Sequence, residues 1–437
     1  MPPNMENKSN EPRDEAGAGP DAPAAGSLEV EKIVNAVILT AVNLNASDVH
    51  MEPFAGPAGE DPVFALRFRV DGILTTGPIT IPWSFRNAVI AKIKIMSGSM
   101  EDTVRNFPQT GRMILLVKGG RFEIQIRTLP TIHGEACTLR VRDTSKEALG
   151  IEQLGFLPDT LDDFLGLFKD LGGRKNTGLV LVCGRADSGR TSALYAVLNR
   201  IKRPDIRIIT AECPVRRAVD GVIQVPVDPS ITIGRDRRFV YATALMYIDR
   251  FEPDVVMTGE LGDSATAVLT LETAARSLAF TTLYVGSAHE ALVRLQVMGL
   301  PPLKVAEGVK AILALSLARR LCERCKTARP ATAEERAIFQ ANGVDFPAGS
   351  NIFGPPPTGS CTECRNIGFK GRIGLHELLV IDEDIRAAIS RSDSKEAMLA
   401  LTRRKVTRSL AQDGLEKVKR GLTTIGEAFA ATTLDPA

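Results

Sequence analysis

Three stretches of this chain hold residues whose types and spacing point to chemistry. The first is Gly178-Leu-Val-Leu-Val-Cys-Gly-Arg-Ala-Asp-Ser-Gly-Arg-Thr-Ser-Ala193. An apolar run that reads as a buried strand enters a loop bounded by Gly184 and Gly189, and a helix begins after it. Such a loop wraps backbone N–H groups around an anion at a helix N-terminus. Thr191 stands where a hydroxyl would reach Mg2+, but Arg190 stands where the phosphate-binding lysine of this pattern belongs. Gly184, Ser188, Gly189, Arg190, Thr191 and Ser192 are the candidate phosphate contacts, and the same residues also suit a plain glycine-bounded turn. The second stretch, Glu252-Pro-Asp-Val-Val-Met-Thr-Gly-Glu260, is an apolar strand ending in an acid. Its carboxylate could polarise an attacking water or hold water around Mg2+. The third pairs Cys322-Glu-Arg-Cys325 with Cys361-Thr-Glu-Cys364. Two such knuckles supply the four thiolates of a tetrahedral zinc, and a site closed in this way is structural.

The elements that must position these groups follow from periodicity. Residues 1 to 27 are rich in Pro, Ala, Gly and acids, and read as a disordered tail. Apolar residues at helical spacing from Leu28 to Leu44 predict an amphipathic helix. Strands follow at Val49–Glu52 and Val63–Val70, the second ending at the turn signal Asp71-Gly72. A helix around Phe85–Met96 and strands near Met113–Val117, Arg121–Arg127 and Ala136–Val141 complete a small α/β domain over 28–146. Residues 147–177 form a helix-bearing linker. From Gly178, strands alternate with helices, which predicts right-handed crossovers and a mostly parallel sheet over 178–318. Its phosphate loop lies at the carboxyl end of a strand, where open α/β sheets take ligands. A helix is expected over Lys304–Leu321, then a tetracysteine element over 319–375 and a helical region over 376–437.

The net charge of +2 offers no global field for nucleic acid, and no nucleic-acid partner is expected. No apolar run nears the ~20 residues that span a bilayer. The N-terminal residues lack the apolar core of a secretory signal, so the chain is expected in the cytoplasm. Four of the seven cysteines fall in the two knuckles, which in such a chain favours a metal over disulfides.

Taken in order, these pieces resemble the ATPases that power type II secretion and type IV pilus assembly. Ala46-Ser-Asp-Val-His-Met-Glu-Pro53, Arg67-Phe-Arg-Val-Asp-Gly72, Thr128-Leu-Pro-Thr-Ile-His-Gly-Glu135 and Gly371-Arg-Ile-Gly-Leu-His-Glu-Leu-Leu379 carry the likeness with the two nucleotide motifs. The resemblance covers Leu28 to the C-terminus. It implies a PAS-like N-terminal α+β domain, a RecA-like P-loop domain with its tetracysteine zinc element, and a helical C-terminal region. It also implies ATP and Mg2+, a hexameric ring, and docking on an inner-membrane platform protein. Family members that carry the tetracysteine element belong to the assembly and secretion branch.

Residue by residue, the resemblance assigns Glu260 to the Walker B glutamate, Glu212 to the glutamate of the Asp box, and Arg250 to the second arginine before Walker B. It assigns Arg112 and Arg127 to nucleotide contacts, although the family's strand arginine falls at Gln125, two residues before Arg127 on the same strand face. This chain departs from the family pattern elsewhere. Asp187 replaces a glycine and Arg190 the lysine of the phosphate loop. Cys213 replaces the Asp-box aspartate, Met246 an arginine, Tyr284 the His-box histidine, and Gly262 an arginine after Walker B. His289 is too far along the chain to substitute for that histidine without a rearranged loop. A carboxylate at 187 beside bound phosphates costs about 1 kcal/mol in water, and more in a partly buried site. Together these departures imply weak or absent hydrolysis by a subunit that joins its own copies or a paralogue. The alternatives are an active motor, favoured by Thr191, Glu212, Arg250 and Glu260, and a zinc-stabilised scaffold that binds no nucleotide. His50 and His133 are expected in structural hydrogen bonds, and His376 beside the zinc element.

Overall fold

A computed structural model describes residues 25–56, 61–144, 150–169, 171, 176–234, 237–357 and 361–432, so the expected tail before residue 25 lies outside the described residues. The chain divides into two units, Met1–Lys146 and Glu147–Ala437.

In the first unit, α1 (Ala25–Leu44) precedes strands β1 (Asp48–Phe54), β2 (Val63–Val70) and β3 (Ile73–Thr76). Then come α2 (Arg86–Ser97), β4 (Gln109–Val117), β5 (Gly120–Thr131) and β6 (Gly134–Asp143). The six strands form one sheet in the order β3-β2-β1-β6-β5-β4. The β2–β3 turn uses Asp71 and Gly72, both at positive φ (48° and 88°), the geometry that a tight two-residue hairpin demands. Alternation in β1 buries Val49 and Met51, which pack with Val34, Val37 and Ile38 of α1 and Ile90 and Ile93 of α2. His50 lies on β1, where its Nδ1 is 3.4 Å from the Thr138 hydroxyl, and His133 is exposed in the β5–β6 turn.

The second unit opens with α3 (Pro158–Gly166), β7 (Gly178–Cys183), α4 (Arg190–Ile201), β8 (Ile208–Glu212) and β9 (Val222–Pro226). The exposed hairpin β10 (Asp228–Ile233) and β11 (Arg237–Phe239) leads to α5 (Tyr241–Ile248), β12 (Val255–Glu260), α6 (Ser264–Ala274) and β13 (Leu278–Leu283). Beyond these lie α7 (Ala288–Val297), α8 (Pro302–Gly308) and β14 (Val309–Leu321). The small pair β15 (Thr327–Pro330) and β16 (Asn351–Gly354) flanks α9 (Ala333–Ala341). Last come β17 (Phe369–Val380), α10 (Glu383–Arg391), α11 (Lys395–Lys405), α12 (Leu410–Lys419) and α13 (Ile425–Thr432).

Seven strands make the central sheet, ordered β17-β14-β7-β13-β12-β8-β9. All neighbours are parallel except β17, which runs antiparallel to β14. β7 is buried along its whole length. Its odd residues, Leu179, Leu181 and Cys183, join the core shared with α6, α7, α8 and α10, while Val180 and Val182 pack with α3 and α4. Both faces are therefore covered, as parallel sheets require.

The helix expected over Lys304–Leu321 is corrected. Only Pro302–Gly308 is helical, and Val309–Leu321 is a strand paired on both sides. Val309, Ile312 and Ala314 face one core layer while Ala311, Leu313 and Leu315 face the other. A strand buried on both faces loses its period-two signature and cannot be told from a buried helix by pattern. Divisions drawn at 318/319 and 375/376 fall inside β14 and β17.

Candidate functional site

The phosphate loop is shaped by contacts that only particular residues allow. A Cβ on Gly184 would lie 2.3 Å from the Ser188 hydroxyl oxygen and 2.5 Å from the Leu315 carbonyl oxygen, so the loop closes only over glycine. Gly189 takes φ 95° at the N-cap of α4, and Asp187 takes φ 56°, a left-handed conformation uncommon outside glycine. The loop thus makes its turn with Asp187 in a conformation that glycine adopts more freely.

Beside it lies a cavity of about 380 Å3, within the range of small-ligand sites. Its wall includes Asp187 to Ala193, together with Gln153 and Leu154 before α3, Arg216 after β8, Leu315 and Leu317 on β14, and Arg372, Gly374 and His376 on β17. Ser188 is 7% exposed, and its hydroxyl finds no hydrogen-bond partner in the protein. The Nη1 of Arg190 is likewise buried and unpartnered. Burial pulls the Arg190 guanidinium below its ordinary value, which Glu260 opposes. Its Cζ sits 5.1 Å from the centre of the Tyr284 ring, a cation–π contact.

A smaller cavity of about 110 Å3 adjoins the loop and gathers Arg190, Thr191, Glu212, Cys213, Arg216, Tyr241, Glu260 and Thr282. Parallel β8 and β12 bring Glu212 and Glu260, both at strand ends, to this point. The two acids differ in state. Glu212 is buried and accepts from the Tyr195 hydroxyl on Oε2, and on Oε1 from Thr210 (2.6 Å) and Gln224 (2.9 Å). Glu260 is exposed at the cavity edge. Gly259 lets the backbone pass the Tyr241 hydroxyl, since a Cβ there would lie 2.1 Å from that oxygen. Burial raises the Tyr241 phenol to about 12.

Of the remaining sequence candidates, Ser192 is exposed on the first turn of α4. Arg250 is exposed on a 3-10 turn, its Cζ 5.5 Å from the Tyr247 ring centre, and it lines neither cavity. Arg112 and Arg127 lie exposed on β4 and β5 of the first unit, Arg112 at 3.6 Å from Glu123. His376, expected beside the metal element, instead stacks on Phe156 with ring centres 3.6 Å apart and lines the larger cavity. Burial holds its imidazole well below its usual value. His289 is buried on α7 with both ring nitrogens unpartnered.

Sequence reasoning missed Arg216, Arg372, Gln153 and Leu154 as cavity residues. Arg216 follows Cys213 by three positions, a nearness that offered a signal. Arg372 and Gln153 come together with the loop only through tertiary pairing.

Among the described residues, Cys322, Cys325, Cys361 and Cys364 place four sulfurs within 4.8 Å of one another. Cys322 and Cys361 are separated by 3.9 Å, Cys325 and Cys364 by 3.5 Å. A tetrahedron with zinc–sulfur bonds of 2.3 Å has edges of about 3.8 Å, so the donor set fits a metal of that size. The Gly368 N–H donates to the Cys364 sulfur (3.3 Å) and the Cys361 N–H to Asn366 Oδ1 (2.5 Å), which orients the second knuckle.

Comparison with known proteins gives this architecture its place. The family model of type II/IV secretion system proteins matches residues 24–430. Over 406 residues the chain is 32% identical to type II secretion system protein E of Aeromonas hydrophila, covering 92% of this chain and 76% of that one. It is 32% identical over 408 residues to the type IV pilus assembly ATPase PilB of Thermus thermophilus, with 92% of this chain and 43% of that one covered. Among solved structures, the Legionella pneumophila ATPase DotB superposes with a TM-score of 0.62 at 16% identity, over 91% of this chain and 95% of that one. The pilus retraction motor PilT with bound ADP gives 0.55 at 20% identity, over 92% and 97%. Those two likenesses speak to the fold alone, whereas the sequence matches run through both units: the chain belongs to the type II/IV secretion system protein family.

Proposed function

We propose that this chain is a subunit of a hexameric ring that docks on an inner-membrane platform protein of a type II secretion or type IV pilus apparatus. In this reading it is cytoplasmic, its N-terminal unit is PAS-like, its second unit is RecA-like, and the four cysteines hold a structural zinc. The phosphate loop holds a nucleoside phosphate but turns it over slowly or not at all. The observation that carries this reading is the state of the loop: its shape is kept while Arg190 leans on Tyr284 and Asp187 occupies the glycine position. An arginine fork is bulkier than a lysine ammonium and does not reproduce its point charge.

The residues fit an anion, because Ser188 Oγ and Arg190 Nη1 are buried donors in want of an acceptor. The N–H groups of 188–191 and these two side chains would hold the phosphates. In an active motor the Thr191 hydroxyl would also reach Mg2+, which would neutralise charge developing on the phosphates. Glu260, exposed beside Thr191, would orient water, which is the observation favouring an active motor. Glu212 is engaged by three donors and serves to fix the cavity wall.

The test is ATP turnover and nucleotide affinity of the full chain beside those of the Asp187→Gly, Arg190→Lys double variant. Negligible wild-type turnover that rises in the double variant is expected. Wild-type turnover at the ordinary ~1–100 s⁻¹ of phosphoryl transfer would overturn the reading in favour of a motor.

A further inference from the structure

The cavity beside the phosphate loop sets three guanidinium groups, on Arg190, Arg216 and Arg372, against one carboxylate, on Asp187. Each arginine comes from a different part of the sheet. Arg190 opens α4. Arg216 follows β8, and its backbone N–H donates to the Tyr195 hydroxyl at 3.3 Å. That hydroxyl donates in turn to Glu212, so the segment carrying Arg216 is tied to the sheet end. Arg372 reaches over from β17, its Nη1 donating to the Asp187 carbonyl at 3.5 Å. Between them lie the two buried donors without a partner, Ser188 Oγ and Arg190 Nη1. Leaving such a donor unmet costs about 1–3 kcal/mol, which an anion accepting from it would recover.

Of the two acids that could gather hydrated Mg2+ at the same place, only Glu260 is left open. Both carboxylate oxygens of Glu212 are taken by Tyr195, Thr210 and Gln224. The next residue is the exposed thiol of Cys213. Arg216 lines the smaller cavity as well, so a cationic side chain shares it with Thr191, Glu212 and Glu260, where a metal ion would have to sit. Two positive charges a few ångströms apart repel each other, and a guanidinium cannot shed its proton to make room.

We propose that this cavity binds the polyphosphate of a nucleotide as the bare anion, with Arg216 and Arg372 supplying the neutralisation that Mg2+ would otherwise supply. The proposal rests on the reading of the cavity as a nucleotide site. Guanidinium forks pair with phosphate oxygens through two parallel charge-assisted bonds, so two of them suffice for a diphosphate. Binding is then indifferent to divalent cation. It is also poorly matched to hydrolysis, since no metal bridges the phosphates in the transition state.

The test is calorimetric titration of ADP into the full chain with and without millimolar Mg2+. The protein is made magnesium-free by dialysis rather than by chelator, so that metal on the four cysteines stays in place. Affinities within about threefold of each other are expected in the two buffers. Arg216→Ala should weaken magnesium-free binding about tenfold, the loss of one charge-assisted contact. Arg216→Glu should make binding depend on Mg2+. Arg216 is exposed, so unchanged thermal melting of both variants serves as the check on folding. ADP binding by wild type only in the presence of Mg2+, or unaltered magnesium-free binding by Arg216→Ala, would overturn the proposal and leave the nucleotide reading standing. Absence of ADP binding in either buffer would overturn both.

Discussion

Gly184 is the residue on which the phosphate loop turns, and its role is steric. Any side chain there meets the Ser188 hydroxyl and the backbone of β14, which is not free to retreat. Gly184→Ala is expected to cost about 1–3 kcal/mol in urea unfolding and to abolish the rise in melting temperature produced by ADP. His376 makes a second residue-scale test. Burial depresses its folded-state value below the ordinary 6.5, so the unfolded chain binds the proton more readily. The His376 contribution to stability should therefore be full above pH 6.5 and decline as the pH falls below it. His376→Phe keeps the stack on Phe156 and removes the proton, and it should reduce the acid sensitivity of the denaturation midpoint by the share that His376 contributes, His289 retaining its own. The candidate residues that sequence named at the loop and strand ends do meet: Ser188, Arg190, Thr191, Glu212 and Glu260 converge on adjoining cavities. Arg216 and Arg372 escaped notice because their charge acquires meaning only once β8 and β17 bring them to opposite sides of the loop.

At the scale of elements, strands with a polar face or a glycine turn were legible, as at Asp71-Gly72, and so were helices with an apolar stripe, as over Leu28–Leu44. Val309–Leu321 was not. Its alanines and leucines are strong helix formers taken singly, and with both faces buried the strand has no polar residue every second place. β17 is hard to recognise as a strand for a related reason, since Ile373 to Leu379 are all buried. The cysteine knuckles needed no such context, because ligand spacing is local. If they hold zinc, native mass spectrometry should find one ion per chain, and Cys361→Ser should lose it. The variant should also become sensitive to proteases between Cys322 and Gly368, where the sulfur cluster ties a stretch with few buried residues of its own.

For the whole molecule, the relevant facts are two units, a net charge near zero and, among the described residues, no helix long and apolar enough to cross a membrane. Mass photometry in the presence of ADP should find hexamers of the full chain. A single monomeric species at every concentration, with or without ADP, would remove the homomeric ring and leave a mixed ring with a paralogue to be sought by co-purification.

The strand β14 has a mechanical consequence. Leu315 and Leu317 form part of the cavity wall, and the same strand ends at Leu321, immediately before the first metal knuckle at Cys322. The six residue steps from Leu315 to Leu321 span about 20 Å and are held along one edge by β17, whereas β7 pairs only the preceding stretch Val309–Ala314. The strand's pairing with β17 shifts register between Arg319 and Leu321. A load applied at the cysteine element therefore reaches the wall of the cavity along a single paired edge, through the shifted stretch before Leu321.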